Sequence, residues 1–291
     1  MDFYKIVEDE TELKWFFDHV IVDPEPYETY MVCLSARSKK LNEEERKIYQ
    51  LGRGEMMRTE IIRRKGRDWN FNIWKQALYK YNCDKNAMLT KTGLPYPEKT
   101  LVCYCYVNPS DELNCVDDTI TFYNSINKEL LQSFRKGSKD GVIDHLEKLP
   151  KVFEHLRSCH ATNLSRRIWR DFDFDLSDYG KENRDCIGYS IHDSFAEKFG
   201  KGNFVMVETT GGFHVLLKVE ALKSNPNEFI KDCIYDAEYN VSENKKGIEA
   251  AICPALFDEV KMTEPGSQFV PVPGTLQYGN LVKVVNKEDF E

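Results

Sequence analysis

Apolar positions change their spacing near residue 160, and that change is the main organising signal in the chain. Upstream, helical spacing dominates. Residues 10–22 and 41–82 carry helical patterns, the second through Ile48, Leu51, Ile61, Ile62, Trp69, Trp74 and Leu78. Gly93-Leu-Pro-Tyr-Pro97 breaks that region. Residues 101–107, β-branched and aromatic, predict a buried strand that ends at Asn108-Pro109. Helices are predicted over roughly 117–135 and 140–158, the second interrupted at Pro150. Downstream, strands dominate. They are predicted at 168–176, 203–208 and 213–219, with helices at about 185–199 and 226–236, and Pro/Gly turns and strands from 268 to 285. Strand-helix-strand-strand-helix-strand is the order of a ferredoxin-like, RRM-like unit. The expectation is therefore an α+β protein with an N-terminal α/β lobe over 1–160 and an RRM-like lobe over 161–291.

Composition adds limits. The chain has 291 residues, 41% hydrophobic and 30% charged, which is ordinary for a globular protein with a sizeable core. No apolar run approaches the ~20 residues of a membrane span. The first residues, Met-Asp-Phe-Tyr-Lys-Ile-Val-Glu, do not read as a secretory signal. The nine cysteines are scattered without a CxxC pair, so a reduced, cytoplasmic protein is expected, with Cys103 and Cys105 as buried structural thiols. The net charge of −8 does not advertise a nucleic-acid binder, yet phosphate responds to a local basic surface rather than to the average. Two such clusters exist, Arg58 to Arg67 and Ser165-Arg-Arg-Ile-Trp-Arg170. Taken alone, each reads first as a solvated helix face or strand flank.

Candidate chemistry begins at Asp171-Phe-Asp-Phe-Asp175. On a strand, residues two apart share a face, so the three aspartates project together and Phe172 and Phe174 project into a core. Carboxylates about 7 Å apart along one face repel, and a cation relieves that repulsion. All-oxygen ligands suit Mg²⁺, Mn²⁺ or Ca²⁺ rather than zinc. A solvent-facing acidic strand is the plain alternative. The segment Glu208-Thr-Thr-Gly-Gly-Phe-His214 joins two apolar strands. Gly211 and Gly212 can present backbone N–H groups to an anion, and His214 can donate to a phosphate, with Lys218 on the same strand face. A simple hairpin with a core histidine is the alternative there.

The order of these segments resembles the archaeo-eukaryotic primase superfamily, which includes the catalytic primase subunit and the PrimPol-type primase-polymerases, and here a phage- or plasmid-like member. Phe172-Asp-Phe-Asp-Leu-Ser-Asp-Tyr179 is similar to the first motif, and that register selects Asp173 and Asp175 as metal ligands, with Asp171 flanking and Asp178 in a loop. Thr209-Thr-Gly-Gly-Phe-His214 is similar to the second, the nucleotide-binding motif. Val270-Pro-Val-Pro-Gly-Thr-Leu-Gln277 resembles a Pro-Gly-Ser/Thr-Leu segment that is commonly followed by His, where Gln277 stands here. For the third carboxylate, Leu256-Phe-Asp258 fits the apolar–apolar–Asp pattern, with Asp236 and Glu264 as rivals. Tyr104-Cys-Tyr-Val-Asn-Pro109 is similar to a strand ending in Asn-Pro in some members, with Ser110 where Arg often follows.

The resemblance implies a DNA primase or primase-polymerase with its site between two lobes. Asp173, Asp175 and Asp258 would bind two Mg²⁺ or Mn²⁺ ions. Thr210, Gly211, Gly212, His214, Lys218, Thr275 and Gln277 would hold the NTP or dNTP. Arg63, Arg64, Lys65 and Arg67 would contact a single-stranded DNA template, and a separate replicative helicase would unwind it. The protein would act in the cytoplasm, of a host cell if viral, without a membrane partner. A metal-dependent nuclease of replication-initiator type and a non-catalytic RRM-like nucleic-acid-binding module are the alternatives; the chain lacks a His-x-His pair and the RNP aromatic signature.

Overall fold

A strand buried along its whole length, Glu28–Ala36 (β1), anchors the first sheet. It has no counterpart among the predicted elements. Glu55–Arg63 (β2) and Leu101–Tyr106 (β3) pair antiparallel with its two edges, and Ser110–Asp111 (β4) adds to its start. The computed structural model describes residues 2–66, 68–176, 183–224, 260–263 and 269–291.

β2 corrects the reading of 41–82 as helical. That stretch is a short helix, Glu43–Tyr49 (α2), then β2, then Phe71–Tyr79 (α3). The physical reason is non-local. A buried central strand must satisfy its backbone groups on both sides, and the β-branched residues of β2, Thr59, Ile61 and Ile62, suit that pairing. Most of β2 is only partly buried, so its period-2 pattern is faint.

Glu10–Val20 (α1) covers this sheet. Asp9 caps it by accepting from the Thr11 and Glu12 amides, and Leu13, Phe16, Phe17 and Val20 recur at helical spacing on its buried face. Phe17 meets Trp74 of α3 at 5.7 Å between ring centres. A helical group follows: Glu112–Arg135 (α4), Lys139–Leu146 (α5) and Lys151–Thr162 (α6). The break predicted at Pro150 falls between α5 and α6.

The second sheet is built on Trp169–Leu176 (β5), Phe204–Glu208 (β6), Gly212–Lys218 (β7) and Val260–Thr263 (β8). Arg184–Phe199 (α7) joins β5 to β6, and Val219–Ser224 (α8) follows β7. The strands lie in the order β6-β7-β5-β8, all antiparallel, which is the order of a split βαβ unit. Phe172, Phe174 and Leu176 pack with Ile187, Ile191 and Phe195 of α7 in one cluster. The helix predicted at 226–236 lies outside the described residues, as do Arg67, Asp178, Asp236, Asp258 and Glu264.

The C-terminal strands divide themselves between the sheets. Phe269–Pro271 (β9) pairs with β3 of the first sheet, Leu276–Gln277 (β10) and Asn280–Leu281 (β11) form a small hairpin, and Lys283–Val284 (β12) pairs with β6 of the second. The sheets also share one hydrophobic cluster, in which Val32, Leu34 and Cys105 join Trp169, Val205 and Leu216. Asn108 links them more specifically. Its buried side chain accepts from the Ile168 and Trp169 amides at 2.7 and 2.8 Å and donates to the Trp169 carbonyl at 2.9 Å. The Asn-Pro step thus closes the start of β5 as a neighbouring strand would. Cys103 and Cys105 are buried, and burial pushes both thiols up. Among the described residues, no helix is long and apolar enough to cross a membrane.

Candidate active site

The face of β5 opposite its phenylalanines carries the three aspartates, and they run out of the core in order. Asp171 is buried at 3% exposure, Asp173 is half-buried and Asp175 is exposed. Antiparallel pairing sets His214 of β7 opposite Asp173. His214 Nδ1 lies 3.1 and 3.2 Å from the two Asp171 carboxylate oxygens, and Nε2 lies 3.5 Å from Asp173 Oδ1. Burial by itself disfavours the imidazolium. Asp171, then Asp173 and Asp175, outweigh burial and raise His214 to about 9. Burial also raises the Asp171 and Asp173 carboxyls, against the pull of His214. Asp171 is thus committed to the histidine.

Asp173, Asp175, His214, Gly211 and Gln277 line one pocket of about 100 Å³. Arg37, Lys39, Tyr104, Thr209 and Phe269 complete its wall. Arg37 and Lys39 follow β1, Tyr104 is on β3 and Phe269 on β9, so the pocket lies where the end of the first sheet meets the aspartate face of the second. Arg37 rests over the Tyr104 ring at 5.1 Å, and Tyr104 stacks on Phe269 at 4.3 Å. Partial desolvation lowers the Lys39 ammonium, which Asp175 and Asp173 oppose. A pocket of this size is below the roughly 300–1,000 Å³ of whole-ligand sites. It suits a phosphate group and cations, with the remainder of any nucleotide outside it. A larger cavity, about 340 Å³, lies on the α7 side of the second sheet and is lined by Tyr189, His192, Glu208 and Lys283; it holds none of the predicted site residues.

The turn before β7 corrects one expectation. The Gly211 and Gly212 amides point at Thr209 Oγ1, at 3.3 and 3.2 Å, and the Thr210 amide donates to Gln277 Oε1 at 2.7 Å. The backbone donors expected to cradle an anion are engaged inside the protein. Gly212 has another role: a Cβ there would lie 1.8 Å from the Phe174 carbonyl oxygen, so only glycine permits β7 to approach β5 beside Asp175. Arg184, at the start of α7, fastens the turn from outside by donating to the Thr209 and Thr210 carbonyls at 2.6 and 3.0 Å and to Glu208.

The Pro-Gly-Thr-Leu turn is also built for position. Gly274 has φ +85 and accepts from the Glu8 and Asp9 amides; a Cβ there would meet the Asp9 carbonyl at 2.4 Å. Thr275 is buried and donates to the Val272 carbonyl, so it stabilises the turn instead of reaching the pocket. Thr210 Oγ1 donates to the Gln277 carbonyl at 2.9 Å, which ties the two turns together.

Other predicted residues lie elsewhere. Lys218 shares a strand face with His214 but is about 13 Å further along β7, donating to the Gly202 carbonyl at 2.9 Å. Arg63 pairs with Glu112, Arg64 donates to the Pro24 carbonyl at 2.8 Å, and the Lys65 backbone forms an antiparallel β-bridge with that of Asp68. Arg63 is opposite Thr29 at the start of β1, whereas Arg37 follows its end. Eight residues of strand, roughly 26 Å, separate that basic segment from the pocket. Sequence reasoning missed Arg37, Lys39, Tyr104, Phe269 and Arg184. The signal for the first two is the apolar run of β1 ending abruptly in Arg37-Ser-Lys-Lys40. Among the described residues, no three acidic, histidine or cysteine side chains converge as a metal cage. Comparisons with protein-family models, with curated proteins and with solved structures find no match for this chain.

Proposed function

We propose that this chain is a DNA primase or primase-polymerase of the archaeo-eukaryotic type, which joins NTPs or dNTPs on a single-stranded DNA template. One juxtaposition carries the reading. Asp173 with Asp175, His214 and Gln277 come from three separate sequence motifs and line one pocket, with Arg37 and Lys39 across from them. On this reading, the first sheet and its helices form the N-terminal α/β lobe, and the split βαβ sheet forms the RRM-like catalytic lobe.

The donors fit a hard divalent cation. Asp173 and Asp175 share a strand face, Asp173 is raised by burial with Asp175 adding like-charge repulsion, and a cation relieves both effects. They would hold Mg²⁺ or Mn²⁺ with a third carboxylate, and the bound ions supply activation of the attacking 3′-hydroxyl and neutralisation of the leaving pyrophosphate. The chain's own groups do the positioning. His214, held by Asp171, turns Nε2 toward the pocket. At 3.5 Å from Asp173, that N–H is too loosely engaged for a good hydrogen bond, and it is ready to donate to a phosphate oxygen. Arg37 and Lys39 offset triphosphate charge from the opposite wall. Gln277 and Arg184 keep the Thr209-Thr210 turn in register with Asp175. A separate helicase would supply the unwound template.

Titration calorimetry with Mn²⁺, then with NTP in its presence, tests the assignment of roles. The wild type should bind both, Asp173→Asn should lose the cation, and Arg37→Ala should keep the cation while weakening nucleotide about tenfold. Unchanged Mn²⁺ binding by Asp173→Asn would overturn the metal assignment.

A further inference from the structure

The helix α4 carries an apolar stripe that stays exposed among the described residues. Its inner face, through Cys115 and Ile126, is buried, and Phe122 stacks on His155 of α6. Its outer face exposes Leu113, Val116, Ile120, Tyr123, Leu131 and Phe134, each 41–73% accessible. Leu113, Val116, Ile120 and Tyr123 recur in alternating steps of three and four residues, and the same register reaches Phe134 through Asn127 and the partly buried Leu130, with Leu131 beside it; this is the spacing of a helix-pairing seam. The stripe runs the length of a 24-residue helix, about 36 Å. Together the six side chains offer on the order of 500 Å² of apolar surface, in the upper part of the range of the largest patch on a lone protein, where such patches are often functional.

Charge on the same helix says what fits there. Glu112, Asp117 and Asp118 lie in its first half, where Glu112 pairs with Arg63 and Asp118 accepts from Asn163. Its second half carries Lys128 and Arg135 together with Glu129, which is already paired with Lys148 of the same copy. A second copy laid antiparallel places each acidic half beside a basic half. It also sets Leu113 against Phe134 and Val116 against Leu131 of the other copy. A parallel arrangement would align like charges. We propose that the protein self-associates through α4, as a two-fold antiparallel helix pair. With its polar rim, such a seam approaches the roughly 800 Å² per partner of a standard stable interface.

Sedimentation velocity of the full chain from 1 to 100 µM tests this, with three variants. The wild type should dimerise in this range. Ile120→Glu should be monomeric throughout, with an unchanged circular dichroism spectrum because the position is exposed, and with the melting temperature of the wild type diluted to its monomeric range. Asp117→Lys should weaken the dimer about fivefold, and Asp117→Lys combined with Lys128→Glu should restore it, since the pair is re-formed between copies only if they are antiparallel. A wild-type monomer at 100 µM, as expected if another protein or another segment of the chain covers the stripe, would overturn the proposal. So would a dimer indifferent to Ile120→Glu, or a charge swap that fails to restore association.

Discussion

Asp171 and His214 form a buried pair across strands β5 and β7, with His214 Nδ1 3.1 Å from Asp171 Oδ1. This contact decides how the acidic strand divides its labour. Three aspartates share one face, but the innermost is spent on holding an imidazolium. Only the outer two face the pocket.

The pair makes a pH prediction for the metal-free protein. His214 is raised to about 9, above the ~6.5 of an unfolded histidine. Its contribution to stability is therefore fully present below about pH 6.5 and is lost as pH rises through about 9. NMR titration of the imidazole should place its midpoint near 9 in the wild type and below about 8 in Asp171→Asn, where burial is opposed by fewer charges. An unmoved midpoint in the variant would show that Asp171 does not hold the proton.

Gly212 should tolerate no side chain. Gly212→Ala puts a methyl against the Phe174 carbonyl and should cost about 2–4 kcal/mol in urea unfolding. Gly211→Ala is the control. Its Cβ would lie 3.3 Å from Asp175 Oδ1, so the fold should lose less than about 1 kcal/mol while nucleotide binding suffers. Equal effects of the two on stability would remove the close-approach explanation.

Asn108 should behave as part of the sheet. Asn108→Ala leaves the Ile168 and Trp169 amides without their acceptor and should destabilise by about 2–4 kcal/mol. Asn108→Asp keeps the acceptor and should fall between. Chemical denaturation midpoints give the comparison; an alanine variant as stable as the wild type would mean that β5 is held without this residue.

Much of this arrangement was legible in the sequence where the pattern is local. Asp171 to Asp175 alternates with phenylalanine, and a period of two needs no partner to be read. Asn108-Pro109 and Pro150 mark their breaks for the same reason. What was lost depended on contacts far apart in the chain. β2 looks helical in isolation because its strand character comes from pairing with β1. Lys218 looks close to His214 because both share a face, yet four residues of strand carry it to the other end of the sheet. Arg37 and Lys39 lie more than a hundred residues from Asp173, and only the meeting of two sheets brings them together. The glycine turn misled in a different way. Its composition suits an anion nest, but Thr209 and Gln277 supply acceptors that composition cannot reveal.

The central claim, nucleotidyl transfer at Asp173 and Asp175, is tested most directly by primer synthesis on single-stranded DNA with Mn²⁺ and labelled NTPs or dNTPs. A parallel reaction omits nucleotides. The wild type should yield labelled oligomers and leave the template intact, and Asp173→Asn, folded as the wild type, should lose at least about a hundredfold of that activity. Absence of product with either nucleotide set, undiminished synthesis by Asp173→Asn, or template cleavage without nucleotides would contradict it.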